Sequence, residues 1–341
     1  MTILDKKPDG PDPVGRTTVM RAPTGWAGTA MDQLQQLLAF ASLIAIVLYF
    51  SWASPTFMTY YNITNILFST VVIGLLALGT TFVIITSGID LSIGTGMALC
   101  AVMSGVFVIN LGLPVPLGVL LAILFGGLIG LVNGVNVAVL GLPPFIATLA
   151  MMLVAQGLAL VISDSAPIYF TDAPSYRKIS TGELLGVDFP NAVLVLILAV
   201  IVSAVILGWT VLGRYTYSIG SNEEATALSG INVRGWKIAI YTLAGLFTGL
   251  AGVMISARLG SAQPATGAGY ELQAIAAVVI GGTSLAGGKG TISGTVIGAL
   301  IISVLNNGLQ LLSIPQEWQN VILGLVILVA VYADMFRKQR A

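Results

Sequence analysis

GRYTYSIGSNEEATALSGINVRGWK, Gly213 to Lys237, is the longest polar interruption with a helical pattern in a chain that is otherwise mostly apolar. Both of its flanks read as membrane, so this is where a soluble partner would hold the chain. Within it, Asn222-Glu223-Glu224-Ala225 is a helix start: a capping side chain, then acids that suit the positive end of a helix dipole. Gly230 follows about two turns later as a stop, because glycine accepts the left-handed conformation that ends helices. The stretch therefore predicts a short helix between two hydrophobic spans, shaped to dock into a groove of a partner.

Composition agrees with those flanks. Of 341 residues, 56% are hydrophobic and 8% charged, whereas soluble domains carry roughly 25% charged residues. The mean hydropathy is +0.97. These values describe an integral membrane protein. Fourteen basic and fourteen acidic residues leave no net charge, so bulk electrostatics point to no nucleic acid or acidic partner. The single cysteine, Cys100, lies in an apolar run and can form no intrachain disulfide. Histidine is absent, which removes His-based acid/base catalysis, His-containing metal sites and His proton relays. No catalytic residue, metal site or cofactor is assigned to the chain itself. Glycine, at 40 residues, exceeds the roughly 7% of average usage. Small residues let helices in lipid approach closely, so the excess predicts a tight bundle.

Residues 1–33 form a polar tail rich in Pro, Gly and Thr without an apolar signal-peptide core, and are expected to be disordered. Ten hydrophobic segments follow in 34–336, several interrupted, so the expected class is an all-α integral membrane protein. They begin with Leu34 to Trp52, close to the ~20 residues a bilayer demands. Then come Ile63 to Ile85, a third ending near Leu111, Leu117 to Leu140, Phe145 to Ile162 and Asn191 to Leu212. After the opening stretch the last four are Ile238 to Ala257, Leu272 to Ile280, Thr291 to Leu312 and Trp318 to Met335. The eighth is too short to cross alone. Ser163 to Pro190 is the longest internal loop, and 337–341 form a basic tail. Lys and Arg concentrate in the amino-terminal tail, the 213–237 stretch, Lys289 and the carboxy-terminal tail. The positive-inside bias therefore places both termini and the 213–237 stretch in the cytoplasm, with Ser163 to Pro190 outside. Gly88 to Gly96 and Gly288 to Gly294 each join two apolar runs in matching order, which suggests a parallel internal repeat and a pathway nearby.

Asp90 is the one carboxylate deep in the hydrophobic series. Such an acid costs roughly 2.5–3.5 kcal/mol to insert unless it faces a cavity or a partner. It reads either as a pathway-lining or gating residue together with Ser92, or as an acid capping the helix that starts at Ser92 near the inner surface. Asn133, Asn136, Asn306 and Asn307 are amides within or at the ends of spans. They suit a neutral polyol in a pathway, or hydrogen bonds between helices. Glu271, with Tyr270 and Arg258, reads as the outer mouth of the eighth segment, where it would orient that segment, cap it or meet a docking protein. Gly282 to Thr291 imitates a phosphate loop, but Lys289 is one residue too far from Gly282 and Gly290 replaces the Ser or Thr that should follow the lysine. Leu228-Ser229-Gly230 starts like an ATPase signature, yet Ile231 and Asn232 follow where Gly and Gln belong.

Several of these motifs together identify a family. Gly88-Ile89-Asp90-Leu91-Ser92, Gly220-Ser221-Asn222-Glu223-Glu224-Ala225, Leu228-Ser229-Gly230-Ile231 and Gly269-Tyr270-Glu271-Leu272, with Ala274 to Ser284, resemble the ribose-type permeases of bacterial ATP-binding-cassette (ABC) importers. That group belongs with the branched-chain amino acid permeases, and the likeness covers about Ile63 to Asp334. The resemblance implies an importer permease bundle in the bacterial inner membrane, built from two permease subunits, identical or not. ATPase subunits that bind the ATP and a periplasmic sugar-binding protein would complete it. It further implies that Gly220 to Ile231 is a coupling helix seated on the ATPase, with the outward loops receiving the binding protein. Thr226 stands where a second Ala is common in the family, and Ala227 where a basic residue is common. The expected cargo is a simple sugar such as ribose, xylose or galactose. The alternatives are an ion-coupled secondary transporter, or the same ABC role for an amino acid, nucleoside or autoinducer.

Overall fold

Polar and glycine-rich breaks divide the apolar runs where the hydropathy pattern places them, and the helices that result carry the caps their sequences supply. The computed structural model describes residues 25–183 and 189–340. In order come α1 (Gly25–Ala53), α2 (Tyr60–Ile85), α3 (Ile93–Gly105, prolonged by a π-helical turn over Val106–Asn110), α4 (Val115–Ala138) and α5 (Pro144–Ile162). The two-residue strand β1 (Ile168–Tyr169) and α6 (Pro174–Thr181) lead to α7 (Asn191–Trp209), α8 (Val211–Ser221), α9 (Glu223–Leu228) and α10 (Val233–Leu259). After β2 (Ser261–Ala262) the chain ends with α11 (Tyr270–Ile280), α12 (Ile292–Leu311) and α13 (Gln316–Arg340). Thr59, Thr210, Asn222, Asn232 and Thr291 each accept a backbone N–H at a helix start, as N-caps do. Pro opens α4, α5 and α6, where its missing N–H costs nothing.

Seven of the described helices are long and apolar enough to cross a membrane. The apolar parts of α1 (Leu37–Ala53) and α13 (Gln316–Tyr332), with the short α11, bring the segments to ten. Helix α2 is buried without a break from Thr70 to Ile85 and touches α7, α10, α11 and α12. A helix apolar all round belongs in such a centre. The most extensive packing joins α4 to α10, and glycine explains it. Gly126, Gly130 and Gly134 recur every fourth residue on one face of α4 against Tyr241, Gly245 and Gly249 of α10. A Cβ at Gly126 would sit 2.6 Å from the Gly249 amide nitrogen. Backbone lies directly on backbone, as small-residue helix pairs in lipid require.

At the bundle end away from α9, β1 pairs antiparallel with β2, Ile168 opposite Ala262. There α6 inserts Tyr176, fully buried, whose hydroxyl lies 2.7 Å from both Ser104 and Ser256. Burial pushes this phenol up to about 12, so it stays neutral and keeps both hydrogen bonds.

Several boundaries differ from the sequence expectation. Helix α1 begins at Gly25, so 25–33 are helical; the rest of the expected tail, 1–24, lies outside the described residues. At the other end α13 runs through 337–340, and residue 341 lies outside. The sixth segment does not run to Leu212: α7 ends at Trp209, and Thr210 caps a new helix, α8. The 163–190 loop is partly ordered by β1 and α6, while 184–188, with Asp188, lie outside the described residues. The two glycine-interrupted segments share their order but not their proportions. A 26-residue helix precedes the first break and an 11-residue helix precedes the second.

Candidate functional site: the 213–237 segment and the two broken helices

The opening stretch folds into the end of α8, the whole of α9 and the start of α10. Asn222 belongs to both short helices. Its N–H bonds Ser218 O at 3.1 Å, closing α8, and its carbonyl accepts the Thr226 N–H at 3.1 Å. Its side chain accepts the Ala225 N–H at 2.9 Å, the expected cap. Ser229 ends α9 and Gly230 follows with φ +81°, the expected left-handed stop. Glu223 and Glu224 fill the first turn. The Glu223 carboxylate receives Lys237 Nζ at 2.6 and 2.7 Å from near the start of α10, tying α9 to the span that follows it.

The faces of α9 are sharply unequal. Thr226 is buried and its hydroxyl donates to Asn222 O at 2.7 Å; this family departure therefore stiffens the turn and withdraws nothing from the outer face. Ala225, Ala227, Leu228 and Ser229 are exposed, Leu228 at 84%. Beside it opens a cleft of about 670 Å³ lined by Glu224, Ala227, Ile231 and Arg234 of this segment and by Val137 and Gly141 around the α4–α5 turn.

Gly220, at the end of α8, does something its sequence position did not announce. It lies against Ile85 O at the end of α2, with no room for a Cβ there, and a Cβ would also sit 2.6 Å from the Gly288 amide nitrogen. Gly288 N–H donates to that same Ile85 carbonyl at 2.8 Å. Ser87 Oγ donates to Ala286 O at 2.9 Å, and Tyr217 OH to Gly290 O at 2.7 Å. Three segments far apart in sequence thus share one backbone junction. The glycines were visible beforehand, but nothing in the sequence paired them.

The polar hinge between α2 and α3 is closed by side chains. Asp90 is 2% exposed; its Oδ1 accepts the Ser92 N–H at 2.9 Å and the Ser92 hydroxyl at 2.6 Å. Asn133 of α4, fully buried, donates from Nδ2 to Ser92 Oγ at 2.8 Å. Thr148 of α5 accepts the Leu91 N–H at 3.2 Å. Asp90, Ser92 and Asn133 are therefore brought together, in a local turn that leads into α3. Gly96, just beyond the hinge, meets Thr248 at the middle of α10, where a Cβ would be 3.3 Å from the Thr248 methyl.

The other amides do not join this cluster. Asn307 and Asn62 of α2 exchange hydrogen bonds at 2.8 and 2.9 Å, and Asn306 donates to Gln273 Oε1 at 3.1 Å. Both pairs join helices. Asn136 is half-buried near the end of α4, apart from them.

Glu271 requires a correction. It is not at an outer mouth: its Oε2 is buried against Gly94 at the start of α3, and its Oε1 accepts the Gly269 N–H at 3.1 Å. After β2 the chain turns inward, and Gly267 lies on Gly94 and Thr95. Helix α11 thus starts inside the bundle, which is why eleven residues suffice. The starts of α3 and α11 meet there. Arg258 and Tyr270 are half-buried as well. The Arg258 guanidinium lies 4.9 Å from the Phe68 ring centre and donates to Asn65 Oδ1 at 3.3 Å, contacts that hold α10 to α2.

Residues 62–331 match the family described as branched-chain amino acid transport system / permease component. The chain is 44% identical to a ribose import permease protein of Haemophilus influenzae, over 91% of this chain and 95% of that one. It is 46% identical to a ribose import permease protein of Escherichia coli K12, over 89% and 94%. To a xylose transport system permease protein of the same strain it is 34% identical, over 93% and 96%. No solved structure matches the chain.

Proposed function

Because this chain belongs to the branched-chain amino acid transport system permease family, we propose that it is the membrane-spanning subunit of a bacterial ABC importer for a simple sugar. The observation that carries this reading is α9. It is a capped helix between two spans, tied to α10 by Glu223–Lys237, with Leu228 84% exposed. An importer subunit without a nucleotide site of its own needs such a handle, because its energy must arrive by contact. Gly220, Asn222, Glu223, Glu224, Ala225, Leu228, Ser229, Gly230 and Ile231 are the contact segment in this reading. The α9 end and both termini face the cytoplasm of an inner-membrane protein, as the Lys and Arg distribution favours. A periplasmic binding protein meets the opposite end, around β1, β2 and α6. Two permease subunits complete the pathway. The relatives named for ribose and xylose support a pentose as cargo.

The test is reconstitution in vesicles with the cognate ATPase and binding protein, reading ATP-dependent uptake of labelled ribose and xylose. Uptake of one of them requiring all components is the expected result. Uptake by the chain alone, driven by a proton or sodium gradient, would overturn it. In the assembled system Gly230→Leu, forced into a left-handed conformation that costs a branched residue roughly 1–2 kcal/mol, and Glu223→Trp each abolish uptake while the protein stays in the membrane.

A further inference from the structure

Gly220 is two residues from Asn222, the cap that closes its helix, and it touches the ends of two other segments. Displacing α9 must displace it. Asn222 bonds α8 through its N–H and α9 through its carbonyl and side chain, so no flexible linker separates the two helices. Gly220 meets Ile85 backbone to backbone, and a contact without side chains has no rotamer to absorb a shift. On the far side of that contact, the α2 end and the 281–291 loop are joined by Gly288 N–H to Ile85 O and Ser87 Oγ to Ala286 O. The fit is close. A Cβ on Gly287 would strike Ser87 Oγ, and Ser87 itself has φ +61°. Ser87 is also exposed, so this contact sits at the water boundary, at the bundle end that carries α9.

Both sides of the contact lead inward. From Ser87 the chain passes through the Asp90 hinge to the start of α3; from the 281–291 loop it passes back through α11 to Glu271, which lies on that same start at Gly94. A single parting at Ile85–Ser87 against Ala286–Gly288 therefore moves the ends of both broken helices.

We propose that this junction is a latch. It parts and re-forms in each transport cycle, and Gly220, moved by α9, is the wedge that parts it. Gly220, Tyr217 and Ser87 are positioning residues for transport. The proposal rests on the importer reading above, and its first readout does not need the cargo to be known.

The probe is the double variant Ser87→Cys/Ala286→Cys in the full complex with its ATPase, bridged by a short thiol-to-thiol linker; Cys100 is fully buried and does not compete. The bridging rate is compared in the resting complex and with ATP trapped on the ATPase. A latch predicts a rate that changes at least about tenfold between the two states, one arrangement being replaced by the other. An unchanged rate overturns it, whatever the cargo. Pentose uptake supplies the second readout: once bridged, the double variant loses the uptake it shows unbridged, and cleaving the linker returns it to that unbridged level. Full uptake with the bridge in place overturns the latch. Failure of the unbridged and wild-type proteins alike to import a pentose would instead refute the cargo, and leaves the bridging rates to decide the latch. Tyr217→Phe, which deletes only the bond to Gly290 O, is expected to lower sugar imported per ATP hydrolysed about threefold, a ratio that a static seal would leave unmoved.

Discussion

The two breaks in the apolar series, 86–92 and 281–291, look alike in sequence and are held by different means. The first is locked by side chains: Asp90, Ser92, Asn133 and Thr148 supply a hydrogen-bond set that is almost wholly buried. The second is held mainly by backbone and glycine, with Gly282, Gly287 and Gly288 all at positive φ and Gly288 N–H on Ile85 O; the side chains that reach it, Ser87 to Ala286 O and Tyr217 to Gly290 O, each make a single bond to a carbonyl. The difference separates a hinge built to keep its shape from a loop built to come close and let go. A buried polar set is expensive to leave half-made, whereas a backbone contact near water can exchange its partner for solvent.

Asp90→Ala should therefore do the most damage. It strips the acceptor from the Ser92 hydroxyl and N–H in the interior, and each buried donor left without a partner costs about 1–3 kcal/mol. Thermal denaturation in detergent should show a large loss of stability, with Asp90→Asn retaining much of it because an amide oxygen still accepts. Equal loss in the two variants would show that the hinge depends on the charge and not on the hydrogen bonds. Gly287→Ala comes next. Its left-handed φ of +84° costs an alanine about 1–2 kcal/mol, and its methyl meets Ser87 Oγ. The double variant Ser87→Ala/Gly287→Ala should recover part of the loss, and a fully additive double variant would mean that the two loops do not touch. Smallest is Thr283→Val. The Thr283 hydroxyl is buried and finds no partner among the described residues, so an apolar group of the same shape should leave stability unchanged or slightly raised. A marked loss there would give the second break a side-chain lock after all.

Much of the fold was legible because lipid leaves a chain few choices. Ten apolar segments, their breaks and the capped helix at Asn222 follow from hydropathy and local backbone chemistry. So does the stop at Gly230. The α4–α10 contact was half legible: a glycine at every fourth position from 126 to 134 marks a close-packing face but does not name its partner. Glu271 misled because an acid after Gly-Tyr between two segments looks like surface. Only the inward turn of 263–269 puts it on Gly94. The amides stayed open, since a polar side chain in an apolar run reads as pathway or as glue until its partner is known. Asn307 found Asn62, and Asn306 found Gln273.

The sequence by itself determined that this is a membrane bundle presenting one short capped helix between two spans; those properties depend on residues close together in the chain. Tertiary structure alone decided that Gly220 would meet Ile85 and Gly288, and that α3 and α11 would start against each other. Such contacts are made by backbone and by glycine, which carry no side-chain pattern to read, and they exist only once segments far apart in the chain have packed.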